Sequence, residues 1–109
     1  MKLLQMNIDH TITPEQFAAG AKDTQQFARV IAQQPGLLWK IWIGDEGRSE
    51  VGGVYLFESD QAARNFVNGP VFAQIKANPA FKRVEAKLFD INEECSAITR
   101  APLPQAAKV

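Results

Sequence analysis

Few side chains could take part in chemistry, because the 109-residue chain contains one histidine, one cysteine and one tyrosine. His10 follows the first predicted strand, where it could act as a base or as a hydrogen-bond donor, although an exposed loop histidine is the more ordinary interpretation. Cys95 follows two glutamates, whose charges disfavour a thiolate, so we interpret it as structural. One His and one Cys cannot form a zinc site of ordinary His/Cys composition or a redox pair.

One short segment, LLWKIWI, contains both tryptophans of the chain and a lysine. On a strand Trp39 and Trp42 point to opposite faces, so each indole belongs to a different layer. Lys40 shares a face with Trp42, and its charge needs a partner in so apolar a strand. Glu85, Glu50 or an acidic ligand are the candidates, and an ion pair that fixes strand register is the simplest interpretation.

A second apolar segment, EVGGVYLF, carries Tyr55 and Phe57. Tyrosine and tryptophan are each typical of a core when taken singly, but Tyr55 and the two indoles together suggest an aromatic-lined pocket between the sheet and the helices. Asn7, which is polar on an otherwise apolar first strand, either points into that pocket as a fixed donor or lies at an edge. Gly52 and Gly53 indicate a bulge or a close approach of two backbones rather than a phosphate site.

The charge pattern argues against several partners. Twelve basic and twelve acidic side chains cancel, and neither sign forms a run, so we expect no binding to nucleic acid. The N-terminus is too polar for a signal sequence, and nowhere do 18 apolar residues run together, so we expect a cytoplasmic protein without a membrane partner. Nucleotide-binding glycine motifs are missing, and we expect neither a metal nor another cofactor.

The periodicity along the chain predicts one domain over residues 1–101 and a flexible tail over 102–109. Strands are predicted over residues 2–8, 37–43, 50–57 and 83–91, and helices over 13–34 and 59–78 with an interruption at 69–70. Thr13, Pro14 and Gln16 form the first helix start, as a cap, a first-turn proline and a capping-box partner. The order of elements is that of an α+β, ferredoxin-like split βαβ fold, an antiparallel sheet with helices on one face.

Both faces of the predicted strands are apolar, whereas a sheet with one solvated face should alternate apolar and polar residues. The helices cover one face only, so the other face needs a second cover. A second copy of the same sheet, packed face to face, would bury about 800 Å² or more per partner. We therefore expect an obligate homodimer through the open sheet face.

Three segments resemble the YdhR-type mono-oxygenase family: PGLLWKIW from Pro35, EVGGVYLF from Glu50, and AKLFDINE from Ala86, followed by Ser96. The resemblance extends from the first strand to about Thr99. It implies a dimeric α+β barrel, and an activity similar to that of cofactor-independent mono-oxygenases that oxidise aromatic, polyketide-like phenols.

On this resemblance, we expect oxygenation of a small phenol, hydroquinone or anthrone-like molecule in an aromatic-lined cleft. His10 would be the base, and Asn7 or Tyr55 would donate a hydrogen bond to the developing oxyanion. Substrate contacts are expected from Trp39, Trp42, Lys40 and Phe57. The alternative is a binding or stress-response module that holds a small molecule without turnover. Haem handling is a weaker third possibility, because the single histidine is in the wrong segment for an axial ligand.

Overall fold

The computed structural model describes residues 1–104, and in this part of the chain a four-stranded antiparallel sheet carries helices on one face. The order along the chain is β1 (Lys2–His10), α1 (Pro14–Ala19), α2 (Ala21–Ala32), β2 (Leu37–Asp45), a 3-10 turn (Glu46–Arg48), β3 (Glu50–Phe57), α3 (Asp60–Val67), α4 (Pro70–Ala77), β4 (Phe81–Asp90) and α5 (Glu93–Ile98). Across the sheet the strand order is β2-β3-β1-β4. The predicted ferredoxin-like arrangement is confirmed. No helix within these residues is long and apolar enough to cross a membrane.

The first predicted helix is two helices, α1 and α2, which meet at Gly20. Its start is as predicted: Thr13 Oγ1 accepts a hydrogen bond from the Gln16 amide at 3.1 Å, and Gln16 Oε1 accepts one from the Thr13 amide at 2.9 Å. Glycine has a low helix propensity, so the chain changes direction there at little cost. At the stop before β2, Gly36 has a φ of +78°, a backbone conformation that glycine adopts without strain.

The core lies between the sheet and the helices α2, α3 and α4. Its buried residues alternate along β1 and β3 and recur on one face of each helix. They are Leu4, Met6, Ile8, Ile31, Tyr55, Phe57, Ala63, Phe66, Phe72 and Ile75. Helix α2 contributes only Ile31 to this set, and its Phe27 is half-buried. The sheet therefore has a filled core under α3 and α4 and a looser contact with α2.

The C-terminal segment crosses part of the other sheet face. Leu56 is fully buried, although it alternates with Tyr55 and Phe57 and so points away from the helices. Trp39 lies opposite Leu56, and its Nε1 donates a hydrogen bond to the Pro102 carbonyl at 2.8 Å. The first residues of the predicted tail thus contact the sheet, and the rest of that tail, 105–109, lies outside the described residues.

Beyond this segment the open face combines exposed apolar side chains with polar ones such as Asn7 and Lys87. Ile41 is 52% exposed, Ile43 41% and Phe89 44%. Strand pairing places all three on the side opposite the core, with Ile41 beside Val54 and Phe89 beside Leu3.

The Gly52–Gly53 pair reflects a close approach of backbones. A Cβ on Gly52 would lie 1.9 Å from the Met6 carbonyl oxygen. The pairing of β1 with β3 runs without a register shift from Lys2 to Asp9, so there is no bulge at this point. Of the two predicted alternatives, close approach is the correct one.

Replacement of Gly52 by alanine should destabilise the fold, because the new methyl group meets backbone, which cannot move aside as a side chain can. We expect the free energy of unfolding, measured by urea denaturation, to fall by about 1–3 kcal/mol. Gly44→Ala is the matched control, because a Cβ on Gly44 finds its nearest atom at 3.5 Å, an ordinary contact. Equal denaturation midpoints for the two variants would contradict this account.

Candidate functional site

The pairing of β2 with β3 decides which side chains of LLWKIWI face the helices. Lys40 lies opposite Tyr55, and Trp42 lies opposite Gly53. Tyr55 belongs to the core on the helix side, so Lys40 and Trp42 point to that side too. The register shifts between Leu37 and Trp39, and regular pairing resumes in time to put Lys40 beside Tyr55.

A cavity of about 360 Å³ lies between the sheet and α2. Its wall is mainly apolar and aromatic, with a few polar side chains, as in many small-molecule sites. The lining residues are Met6, Ile8, Phe17, Asp23, Thr24, Phe27, Lys40, Trp42, Ile43, Val51, Gly52, Tyr55, Ile75 and Phe81. The loose contact of α2 with the sheet is what leaves this space.

The Lys40 ammonium lies against two aromatic rings in this wall. Its Nζ is 3.3 Å from the centroid of the Trp42 ring and 4.5 Å from that of Tyr55. Both distances are within the range of cation–π attraction. Gly53 makes the arrangement possible, because a Cβ at this position would lie 2.4 Å from Lys40 Cε.

The prediction of an ion pair for Lys40 is wrong, because in residues 1–104 no carboxylate lies within 4.0 Å of its Nζ. Glu85 instead pairs with Arg83 at 2.7 Å and lies in register with Asn7, which faces away from the helices. Burial without a carboxylate disfavours the ammonium and lowers the pKa of Lys40 from 10.5 to about 7. A substantial fraction of the neutral amine is therefore present at neutral pH.

Tyr55 is fixed between the cavity and the core. Its ring stacks on Phe57, with centroids 6.2 Å apart, and burial raises the pKa of its hydroxyl, so it stays a neutral donor. Tyr55 is among the residues that line the cavity. Phe57, predicted to bind substrate, is fully buried behind Tyr55 and against Phe66.

Two other predicted residues, Asn7 and Trp39, are on the opposite side of the sheet. Asn7 lies in register with Gly52 and Glu85 and lines a separate hollow of about 120 Å³. Trp39 lies opposite Leu56. Neither residue is among those that line the cavity, as expected where successive residues of a strand point to opposite faces.

His10, the predicted base, is the last residue of β1 and is buried, with 8% exposure. Its Nδ1 accepts a hydrogen bond from the Ile12 amide at 3.0 Å, which leaves Nε2 to carry the proton of the neutral ring. The ring meets Phe17 edge-on at 4.9 Å and lines a neighbouring hollow of about 320 Å³. Phe17 and Val51 line both spaces, and His10 is not among the residues that line the main cavity.

Helix α2 supplies three cavity residues that were not among the predicted site residues: Asp23, Thr24 and Phe27. Within the helix predicted over residues 13–34, Thr24 recurs at three- and four-residue steps with Phe17, Ala21, Ala28 and Ile31, with Phe27 alongside, so these residues form one mainly apolar stripe. Phe27 meets Trp42 edge-on, with centroids 6.3 Å apart. The signal that could have identified this wall is the polar Thr24 within an otherwise apolar stripe, which a packed core would not favour. Within the described residues no group of three or more His, Cys, Asp or Glu is arranged to hold a metal ion.

This sheet order, with helices on one face, defines the class as ferredoxin-like α+β proteins. A family model described as "Putative mono-oxygenase ydhR" matches residues 3–102. The chain belongs to this family, as its sequence motifs indicated.

Several solved structures share the fold. The NE2512 protein of Nitrosomonas europaea, of unknown function, is 19% identical, with a TM-score of 0.68 over 94% of this chain and 93% of that one. SnoaB, a cofactor-independent oxygenase from Streptomyces nogalater, is 17% identical, with a TM-score of 0.60 over 84% and 92%. The haem degrader MhuD of Mycobacterium tuberculosis is 21% identical, with a TM-score of 0.53 over 83% and 95%. A comparison with curated proteins gave no match.

The lowered pKa of Lys40 predicts a specific dependence of stability on pH. The unfolded chain keeps the Lys40 proton up to its ordinary pKa of 10.5, whereas the folded protein releases it near pH 7. Between these values the unfolded state binds more protons, so the free energy of unfolding rises with pH across the window. We expect wild type to gain up to about 4 kcal/mol, at 1.36 kcal/mol per pKa unit, relative to Lys40→Met.

Urea denaturation of both proteins between pH 6.5 and 10 measures this difference. The control is Lys22→Met, which removes an exposed lysine of α2, and its difference from wild type should be the same at every pH. A constant difference between wild type and Lys40→Met would show that Lys40 titrates normally.

Proposed function

We propose that this protein is a cofactor-independent mono-oxygenase that acts on a small phenol, hydroquinone or anthrone-like molecule in the cavity between the sheet and α2. The observation that carries the proposal is the placement of Trp42, Tyr55 and Lys40 around one apolar cavity of about 360 Å³. Membership of a mono-oxygenase family supports the reaction type. We also propose a cytoplasmic location, with which the single exposed thiol of Cys95 is compatible.

The cavity suits an electron-rich aromatic ring. Trp42 and Phe27 meet edge-on at its wall, and a flat substrate can pack against the aromatic surface that Lys40 leaves uncovered. The low polarity of the wall strengthens the few electrostatic contacts available, those of the Tyr55 hydroxyl and Lys40 Nζ.

The chemistry requires the substrate to lose a proton before it meets dioxygen. The resulting carbanion donates an electron pair to dioxygen and forms a hydroperoxide. Where the carbon is a methylene, loss of water from the hydroperoxide leaves a carbonyl, so one oxygen atom enters the product and the other leaves as water. The substrate supplies all the electrons, and the protein has to bind, orient and deprotonate it.

Binding without turnover is the second candidate, and the position of His10 favours it. The predicted base faces a neighbouring hollow, so a mono-oxygenase would need another proton acceptor within the cavity. Haem handling loses support for the same reason, because the lining residues of the cavity include no histidine to serve as an axial ligand.

Oxygen uptake by purified, chelator-treated protein on a panel of hydroquinones, anthrones and polycyclic phenols tests turnover. Trp42→Leu should lower the uptake rate about tenfold or more, because the stacking surface is lost. Trp39→Leu, the same change on the opposite sheet face, should leave the rate within about twofold. Absence of uptake across the panel, or equal losses in both variants, would favour the binding module.

We further propose that the protein is a homodimer through the open sheet face. The exposed side chains of Ile41, Ile43 and Phe89 give this face an apolar surface that a monomer would leave in water. A second copy is the occupant that fits best, because two-fold packing makes the same patch complementary to itself. The hydrogen bond between Trp39 and Pro102 means that the C-terminal segment would border the interface.

The dimer predicts a clear difference between two charge insertions of similar starting exposure. Ile41→Lys, on the open face, should shift the molar mass in static light scattering at micromolar concentration from two chains to one. Val30→Lys should leave it unchanged, because Val30 is 46% exposed but lies on α2, on the helix side. A wild-type monomer under these conditions would refute the dimer.

A further inference from the structure

We propose that the cavity binds weakly acidic phenols as phenolates, and that Lys40 accepts the phenol proton and then remains as the counter-ion. This inference rests on the proposed function, because it names the substrate class and the missing proton acceptor of the same site. It replaces His10 in the role of the base.

The side chains that line the cavity favour a bound anion. Lys40 is the one cationic side chain among the cavity residues, and in residues 1–104 no carboxylate lies within 4.0 Å of its Nζ. A buried ammonium without an anion is unfavourable, and a bound phenolate would supply the anion that the protein leaves out. A neutral aromatic ligand would bury the ammonium further and give no charge in return.

The position of the Lys40 amine favours proton transfer from a bound phenol. Lys40 Nζ lies 3.3 Å from the centroid of Trp42 and 4.5 Å from that of Tyr55. A phenol that enters the cavity lies beside these rings and can turn its hydroxyl oxygen toward the amine, within reach of direct proton transfer. The amine is available at neutral pH, because burial lowers the pKa of Lys40 to about 7.

The other ionisable groups that face the cavity favour a phenolate that points toward Lys40. On β3, the Tyr55 hydroxyl stays neutral, since burial raises its pKa, and it can donate a hydrogen bond to a phenolate. On α2, Asp23 is exposed and lines the same cavity, so its charge repels an anion from that side and favours a phenolate turned toward Lys40. These are all the titratable side chains in the lining apart from Lys40.

Proton transfer balances without a further reactant. The phenol O–H bond breaks, its electron pair stays on oxygen, and the proton forms an N–H bond with the Lys40 amine. The product is a phenolate beside an ammonium, with no change in net charge. The electron-rich phenolate is also the form that could go on to react with dioxygen in the proposed activity.

The test uses 4-nitrophenol, whose phenolate is yellow and whose phenol form is not, and 4-nitroanisole, which cannot ionise. Both are titrated into the full-length protein across pH 5–9 and followed by absorbance. We expect bound 4-nitrophenol to ionise at least one pH unit below the free probe. In Lys40→Met the shift should vanish, and affinity at pH 6 should fall tenfold or more, while 4-nitroanisole binds as in wild type.

Lys22→Met is the matched control, because Lys22 is an exposed lysine of α2 that does not line the cavity, and its removal should leave the shift intact. Binding of 4-nitroanisole to Lys40→Met shows that the variant is folded. The inference is overturned if the bound probe ionises as in water, if the shift survives in Lys40→Met, or if wild type binds neither probe. If bound 4-nitrophenol ionises at a lower pH than the free probe but no substrate of the panel supports oxygen uptake, this inference stands and the proposed oxygenase is refuted.

Discussion

The site depends on the register between β2 and β3. Lys40 opposite Tyr55 and Trp42 opposite Gly53 bring an amine and two aromatic rings to the helix side of an edge strand. Because side chains alternate with a period of two, a slip by one residue would turn Lys40 and Trp42 to the open face and bring Trp39 and Ile41 into the cavity. Gly53 reinforces this register, since any larger residue there would occupy the space of Lys40 Cε.

The two sheet faces serve different purposes, and LLWKIWI belongs to both. On the helix side the strand supplies the cavity wall, where α2 leaves room for a ligand. On the open side Trp39 holds the C-terminal segment through Pro102, and Ile41 and Ile43 stay exposed. The two tryptophans therefore lie on different faces, Trp42 at the cavity and Trp39 against the C-terminal segment, and Lys40 shares the face of Trp42.

Much of the fold could be predicted from sequence, because strand alternation, the Thr13 capping box and the glycine–proline stops are local signals. The separation of the two tryptophans followed from the same alternation, but which indole faces the cavity did not. That depends on pairing with β3, a contact between segments. The ion pair assigned to Lys40 failed for the same reason: Glu85 seemed suitable by type, yet it lies on the opposite face. His10 was assigned as the base by its chemistry, while its position behind Phe17 is set by the packing of α1.

The proposed ligand site is the cavity beneath α2, where Lys40 would meet an acidic oxygen. A crystal structure of the protein with bound 4-nitrophenol would show whether this contact forms. We expect the aromatic ring against Trp42 and Tyr55, with the phenol oxygen about 3 Å from Lys40 Nζ, the length of a charge-assisted hydrogen bond. A probe bound on the open face beside Trp39, or one in the cavity with its oxygen turned away from Lys40, would overturn the proposal.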